Sequence, residues 1–153
     1  MGAVQQILLG TGLLTICALV HVGAIALCVP WFPRLAKLCG AARQRLRVIA
    51  MLTFGVFILV LAHTIQVWTW SVVFLAITDL PDLVTSFYFA TVTYTTLGYG
   101  DIVLGPSARI VATFCAITGL LTFGISTAFL IGILSRVLPR VFDDTSNGPA
   151  KRH

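Results

Sequence analysis

Thr95-Thr96-Leu97-Gly98-Tyr99-Gly100-Asp101 sets two glycines two residues apart in the middle of an apolar chain. A strand that alternates ordinary with left-handed backbone points successive carbonyl oxygens the same way. Glycine enters the left-handed region without the steric cost that a Cβ imposes, which gives Gly98 and Gly100 their spacing. The result is a file of backbone oxygens that can replace the water shell of a dehydrated cation. Thr96 can add its hydroxyl at one end, and Leu97 and Tyr99 are left to direct their side chains outward into packing. A glycine-aromatic-glycine tripeptide alone would say little, because turns use it freely. The surroundings give the seven-residue string its meaning.

Those surroundings are a membrane. The chain has 153 residues, of which 58% are hydrophobic and only 10% charged, with a mean hydropathy of +1.01; this lies outside the range of a soluble domain. The net charge of +5 does not describe a nucleic-acid surface, since the basic residues sit in short segments flanking apolar runs. Cys17, Cys28, Cys39 and Cys115 show no C-x-x-C spacing and read as reduced small hydrophobes. Cys17 and His21 share a helical face, but two ligands do not make a metal site.

Working outward, the first apolar run extends from about Val4 to Val29 without a charge, long enough to span a bilayer, and Pro30 and Pro33 are expected to close it. It lacks the basic amino end of a secretory signal and reads as a mature helix. Arg34, Lys37, Arg43, Arg45 and Arg47 follow with no acidic residue between them, which assigns this connector to the cytoplasm and the N-terminus to the outside. Their spacing is wrong for a voltage sensor, which needs a basic residue at every third position of an apolar segment. A solvated or headgroup-binding connector, in part a short interfacial helix, fits better. The second run, Val48 to Ile77, exceeds the thickness of the hydrocarbon core and must tilt or project. Trp68 and Trp70 are expected at its outer interface. His63 and Gln66 are expected in interhelical hydrogen bonds, with a proton-sensitive His63 as the sharper alternative.

Asp79-Leu80-Pro81-Asp82 is a helix-start signal. The apolar segment behind it, Leu83 to Tyr94, is too short to cross a membrane and predicts a re-entrant helix, tolerated where the returning backbone lines a watery path. Its C-terminal partial negative charge would favour a cation. After the string Thr95 to Asp101, Gly105-Pro106-Ser107 predicts a turn and cap. A third run, Ile110 to Leu138, is expected to end at Pro139. Arg136, Arg140, Lys151 and Arg152 place the tail inside, and the polar run from Asp143 to Gly148 reads as disordered. Asp79, Asp82 and Asp101 fall outside, where they would concentrate cations; Arg109 is placed to pair with Asp82 or Asp101.

The string Thr95 to Asp101, with the short helix before it and the apolar helix after it, resembles the T-x-G-Y-G filter and pore of potassium channels over roughly the last two thirds of the chain. The resemblance implies potassium coordination by Thr96, Leu97, Gly98, Tyr99 and Gly100. It implies filter support from Tyr88 and Phe89, which stand where the family carries an aromatic pair, and from Thr95 and Asp101. In Thr118-Gly119-Leu120-Leu121-Thr122-Phe123-Gly124, Gly119 matches the gating glycine, with Gly124 beyond it. A packing role for Gly119 is an equal alternative. With Gly119 at the cavity, helical spacing implies a lining of Leu120, Phe123, Thr127 and Ile131. Val92 stands where some members carry a buried glutamate behind the filter, so an inactivation mechanism built on that acid does not carry over.

The expectation is an all-α membrane protein with three transmembrane helices per subunit, a re-entrant pore helix and a filter loop. It divides into an N-terminal helix (1–33) added at the periphery, a basic connector (34–47), a pore domain (48–138) and a cytoplasmic tail (139–153). One filter strand per chain calls for a homotetramer, a ring of four copies in the cell membrane. Potassium is the permeant ion, with no cofactor, no other metal and no nucleic acid. The helices offer His21 and His63 but no paired carboxylate or nucleophile-base set, which argues against an enzyme. A weakly selective cation channel and a nonconducting scaffold or regulatory subunit are the rival readings, separable by ion currents in a bilayer.

Overall fold

The computed structural model describes residues 1–38 and 44–146; Cys39, Arg43, Lys151 and Arg152 lie outside the described residues. The described chain is helical: α1 (Ala3–Cys28), a 3-10 turn (Val29–Trp31), α2 (Phe32–Leu38), α3 (Gln44–Ile77), α4 (Leu83–Tyr94) and α5 (Arg109–Ser146). No strand occurs among the described residues. Three helical spans, Ala3–Leu35, Leu46–Ile77 and Arg109–Ser135, are long and apolar enough to cross a membrane. The protein is an all-α, multi-pass membrane protein.

Proline chemistry decides two expected boundaries, one kept and one corrected. α1 ends at Cys28, just before Pro30, as expected; the chain then goes on through the 3-10 turn into α2, each proline entering near the first position of a new turn, where no intrahelical N–H is required. α2 is the expected short helix of the connector. Pro139 lies inside α5, which continues to Ser146. Proline keeps a helical φ and forfeits one backbone hydrogen bond, so it need not terminate a long helix. The polar run is therefore helical as far as Ser146, and its remaining residues lie outside the described chain.

α4 keeps the expected bounds for a local reason. Asp82 is its N-cap, and the carboxylate Oδ1 accepts the Thr85 N–H at 2.7 Å. This bond holds the exposed Asp82 carboxyl below its ordinary range. The N-terminus of α5 is treated differently. The Ile110 N–H donates to Oε1 of Gln6 on α1 at 3.1 Å, while the Gln6 amide donates to the Pro106 carbonyl at 3.0 Å. Gln6 thus does the work expected of Ser107.

In a bilayer the lipid tails are as apolar as leucine, so helices associate through close packing and interhelical hydrogen bonds. Gly10 gives the Phe114 ring room against α1, and Gly55 lies 3.2 Å, measured from an added Cβ, from Ile133. The Gln6–Ile110 bond and the Gly10–Phe114 contact follow one another in the same order along both helices, so α1 runs parallel to α5. One core draws Cys17 from α1, Val67, Trp70 and Phe74 from α3, Phe89, Ala90 and Tyr94 from α4, and Val111 and Cys115 from α5. The N-terminal helix thus packs into the core of the subunit through Cys17, with Leu9 and Leu13 against it. Its buried residues Gln6, Gly10, Cys17, His21 and Cys28 repeat at helical spacing on one stripe.

Trp70 is a second correction. It is 0% exposed, stacked on Phe74 at 5.7 Å, and its indole N–H has no partner. Trp68, one helical step away, is the exposed indole and lies 4.7 Å from Phe87. Tryptophans two residues apart, at positions 68 and 70, point some 200° apart on a helix, so only one can meet lipid.

Candidate functional site

A helix leaves its last carbonyls without intrahelical donors. At the end of α4 the chain Thr95 to Gly98 supplies them. Thr95 N–H donates to Thr91, and Thr96 N–H donates to the Thr93 carbonyl at 2.9 Å. The Val92 carbonyl accepts both the Leu97 and the Gly98 N–H, at 3.0 and 3.3 Å. The Thr95 hydroxyl also folds back, onto the Thr91 and Val92 carbonyls.

The double bond onto Val92 fixes the carbonyl direction. In a planar trans peptide the N–H and the preceding C=O are antiparallel. No cis peptide occurs among the described residues. With the Leu97 and Gly98 N–H groups both turned to α4, the Thr96 and Leu97 carbonyls both turn away from it. The dihedral angles agree: Thr96, Gly98 and Gly100 have φ of 60°, 55° and 78°. Left-handed backbone thus recurs at every second residue, and it includes Thr96, a β-branched residue for which such a φ is a true outlier. The sequence pattern announced the two glycines but not Thr96.

The far end of the segment is tied by Tyr88, whose hydroxyl donates to Oδ2 of Asp101 at 2.7 Å. Phe89, beside Tyr88 on α4, packs edge-on against Phe74 of α3 at 5.0 Å. Asp82 is occupied by its cap and Asp101 by Tyr88, and among the described residues Arg109 pairs with neither. Residues 95–100 are exposed in the single chain; Leu97 is 54% and Tyr99 67% accessible.

Behind the segment, α5 meets α4 end-on. A methyl group at Gly119 would overlap the Tyr94 carbonyl oxygen. Gly119 is thus a close-approach residue, while Gly124 has open space around it. Leu120, Phe123, Thr127 and Ile131 are all exposed and form one stripe on α5. Phe123 also stacks on His63 at 4.5 Å and meets the Tyr94 ring at 5.7 Å, so it borders the stripe.

His63 and Gln66 do make the expected interhelical bonds, within a polar cluster that the pattern did not reveal. His63 reaches the Tyr94 hydroxyl at 2.8 Å and Ser126 at 3.0 Å. Gln66 bonds His21 at 2.9 Å and accepts from Tyr94 at 2.9 Å. Thr122 lies 2.8 Å from the same phenol oxygen. Thr118, Thr122 and Ser126 recur at every fourth residue of α5 and are all buried. That polar stripe in an apolar helix was the available signal.

These features coincide with the region of likeness to known proteins. Residues 47–136 match the family described as "Ion channel". The potassium voltage-gated channel subfamily A member 10 of Mus musculus and its Homo sapiens counterpart are each 33% identical to the chain over 95 residues, covering 58% of it. The match spans 17% of the length of these relatives. No solved structure matches the chain. The pore helix, the carbonyl-directing segment and the apolar helices on either side lie within the matched residues, and the chain belongs to this ion channel family.

Proposed function

We propose that the protein is a potassium-selective channel, a homotetramer that conducts the ion passively across the cell membrane. The observation that carries this reading is the left-handed φ at Thr96, Gly98 and Gly100, combined with the shared use of the Val92 carbonyl by two successive N–H groups. Carbonyls turned to one side replace the hydration shell of a cation about the size of potassium. Thr96, Leu97, Gly98, Tyr99 and Gly100 supply the oxygens. The partial negative charge at the end of α4 favours a cation below them.

The exposed filter side chains support the assembly. Leu97 and Tyr99 are largely exposed in the single chain, and a filter strand walls only one side of a pore; four copies close the ring and cover them. Leu120, Phe123, Thr127 and Ile131 then face the cavity. The N-terminus is assigned to the outside, with the basic connector and tail in the cytoplasm. The parallel course of α1 and α5 supports this, because Gln6 sits beside Pro106 in the loop after the filter.

The test is potassium flux and reversal potential with the purified protein in liposomes or planar bilayers. A reversal potential that follows the potassium gradient is expected. One that follows sodium equally supports the weakly selective alternative, and an intact tetramer without current supports the scaffold. Gly98→Ala places a Cβ at a positive φ, at a cost of roughly 1–2 kcal/mol. It is expected to abolish conduction while the protein still inserts and assembles.

A further inference from the structure

Five hydrogen bonds join Gln66 to His21, His21 to Ser126, Ser126 to His63, His63 to Tyr94, and Tyr94 back to Gln66. They form a closed ring through α1, α3, α4 and α5. Its sense follows from the donor inventory. The Gln66 amide N–H donates to His21 Nδ1, so the His21 proton sits on Nε2 and is donated to Ser126 Oγ. The Tyr94 hydroxyl spends its single proton on Gln66 Oε1, so the phenol oxygen accepts from His63 Nδ1–H. His63 Nε2 is then an acceptor, and the Ser126 hydroxyl supplies its proton. Every member gives one hydrogen bond and takes one around the circuit, with both imidazoles neutral and carrying opposite tautomers.

We propose that His21, on the N-terminal helix and outside the residues that match the channel family, is a positioning residue for the filter: it closes a one-way ring of hydrogen bonds that fixes Tyr94, and a proton on either ring histidine opens it. Tyr94 is the last residue of the pore helix, and its backbone carbonyl abuts Gly119. The next residues begin the segment that bonds back to Thr91, Val92 and Thr93. Holding the phenol therefore holds the base of the filter. An imidazolium has two donors and no acceptor: a proton on His21 Nδ1 sets that N–H against the Gln66 amide N–H, and a proton on His63 Nε2 turns the Ser126 oxygen into an acceptor from both rings and displaces its own proton from the circuit. The rings of His21 and His63 stand 4.8 Å apart, which adds repulsion when both are charged.

The surroundings offer no counter-charge. The titratable groups packed here are Cys17 and His21 from α1, His63 from α3, Tyr94 from α4 and Cys115 from α5. No carboxylate, lysine or arginine occurs in residues 4–33, 48–77 or 110–135 of the sequence. His21 is fully buried, whereas His63 is partly exposed beside Phe123, on the flank of the exposed stripe of α5. His63 is thus where a proton from water arrives. In the proposed channel that stripe is the wet cavity, so this step rests on the conduction reading.

The test reads the ring and the filter without relying on current. In the full-length protein in bilayers, nitrogen-15 resonances of the imidazoles are expected to show His21 protonated at Nε2 and His63 at Nδ1 near pH 7.5. The same tautomer at both histidines overturns the proposal. Carbonyl carbon-13 resonances of Thr96 and Gly98 are expected to shift in step with the imidazole resonances as the pH is lowered from about 7.5 and the rings take up protons. In His21→Phe the ring is already open, so those resonances lie near their acid positions and the pH step is lost. Wild-type positions with the step retained overturn it. His21→Gln, which keeps a donor for Ser126 but loses the acceptor for Gln66, carries the same expectation if the phenylalanine variant does not fold. Potassium current in the same preparation is expected to fall severalfold on acidification. Resonances that respond in a protein passing no ion speak against conduction and leave the ring standing.

Discussion

The α-carbon of Gly119 faces the carbonyl oxygen of Tyr94 with no room for a methyl group between them. A side-chain neighbour can rotate aside, but this oxygen belongs to the last turn of the pore helix, and the chain of the filter loop bonds back onto that turn. Gly119→Ala is therefore expected to cost at least about 1–3 kcal/mol, the range for overpacking. Gly124→Ala meets nothing within 4 Å in the chain and gains up to about 1 kcal/mol of helix propensity. Thermal unfolding in detergent checks the pair, and equal melting temperatures would contradict the packing role of Gly119.

Gln6 serves two backbone groups of another helix's entry turn while itself 2% exposed. Gln6→Ala leaves the Ile110 N–H and the Pro106 carbonyl without a partner from α1, with an expected loss of about 1–3 kcal/mol. Faster hydrogen exchange at the Ile110 amide is the specific signature. General destabilisation without it would point to packing alone.

Trp70 separates shape from polarity. Its ring fills the core, but its buried N–H is unpaired. Trp70→Phe removes the unsatisfied donor and keeps an aromatic contact with Phe74, so its effect is expected to be small. Trp70→Ala leaves a cavity and is expected to cost about 3–5 kcal/mol. Chemical denaturation of the two variants measures the difference.

Asp82 gives the pore helix a pH dependence of definite sign. The Thr85 N–H lowers its folded-state pKa, so the stabilisation is fully present above the unfolded value and is lost as pH falls through the folded one. Protection of the Thr85 amide is expected to stay level from neutral pH down to about 4, the ordinary carboxylate value, and to decline only in stronger acid. Asp82→Asn keeps a capping oxygen and removes the dependence. Loss of protection already well above pH 4 in the wild type would contradict the capping account.

The pore helix was legible to the residue because its limits are local: a cap with proline before it and a change to glycine spacing after it. The helix end before Pro30 was also legible, whereas the one at Pro139 was misread because proline forbids only one donor, and a helix that can forgo that bond continues. Trp70 was read as an interface residue from its type, although its direction follows from which helix α3 meets.

What the sequence by itself determined is what consecutive residues decide: apolar runs long enough to span, a short capped helix between two of them, and glycines where the backbone must turn left-handed. Those properties rest on hydropathy and on sterics within a few residues. Only the tertiary structure decided which polar groups buried in apolar helices find one another. Gln6, His21, Tyr94, Thr122 and Ser126 are satisfied by residues up to 105 positions away. In a medium without water such groups must pair across helices, and the pairing is set by which helix faces meet, which no local pattern encodes. The N-terminal helix, outside the matched pore residues, thereby reaches the base of the filter.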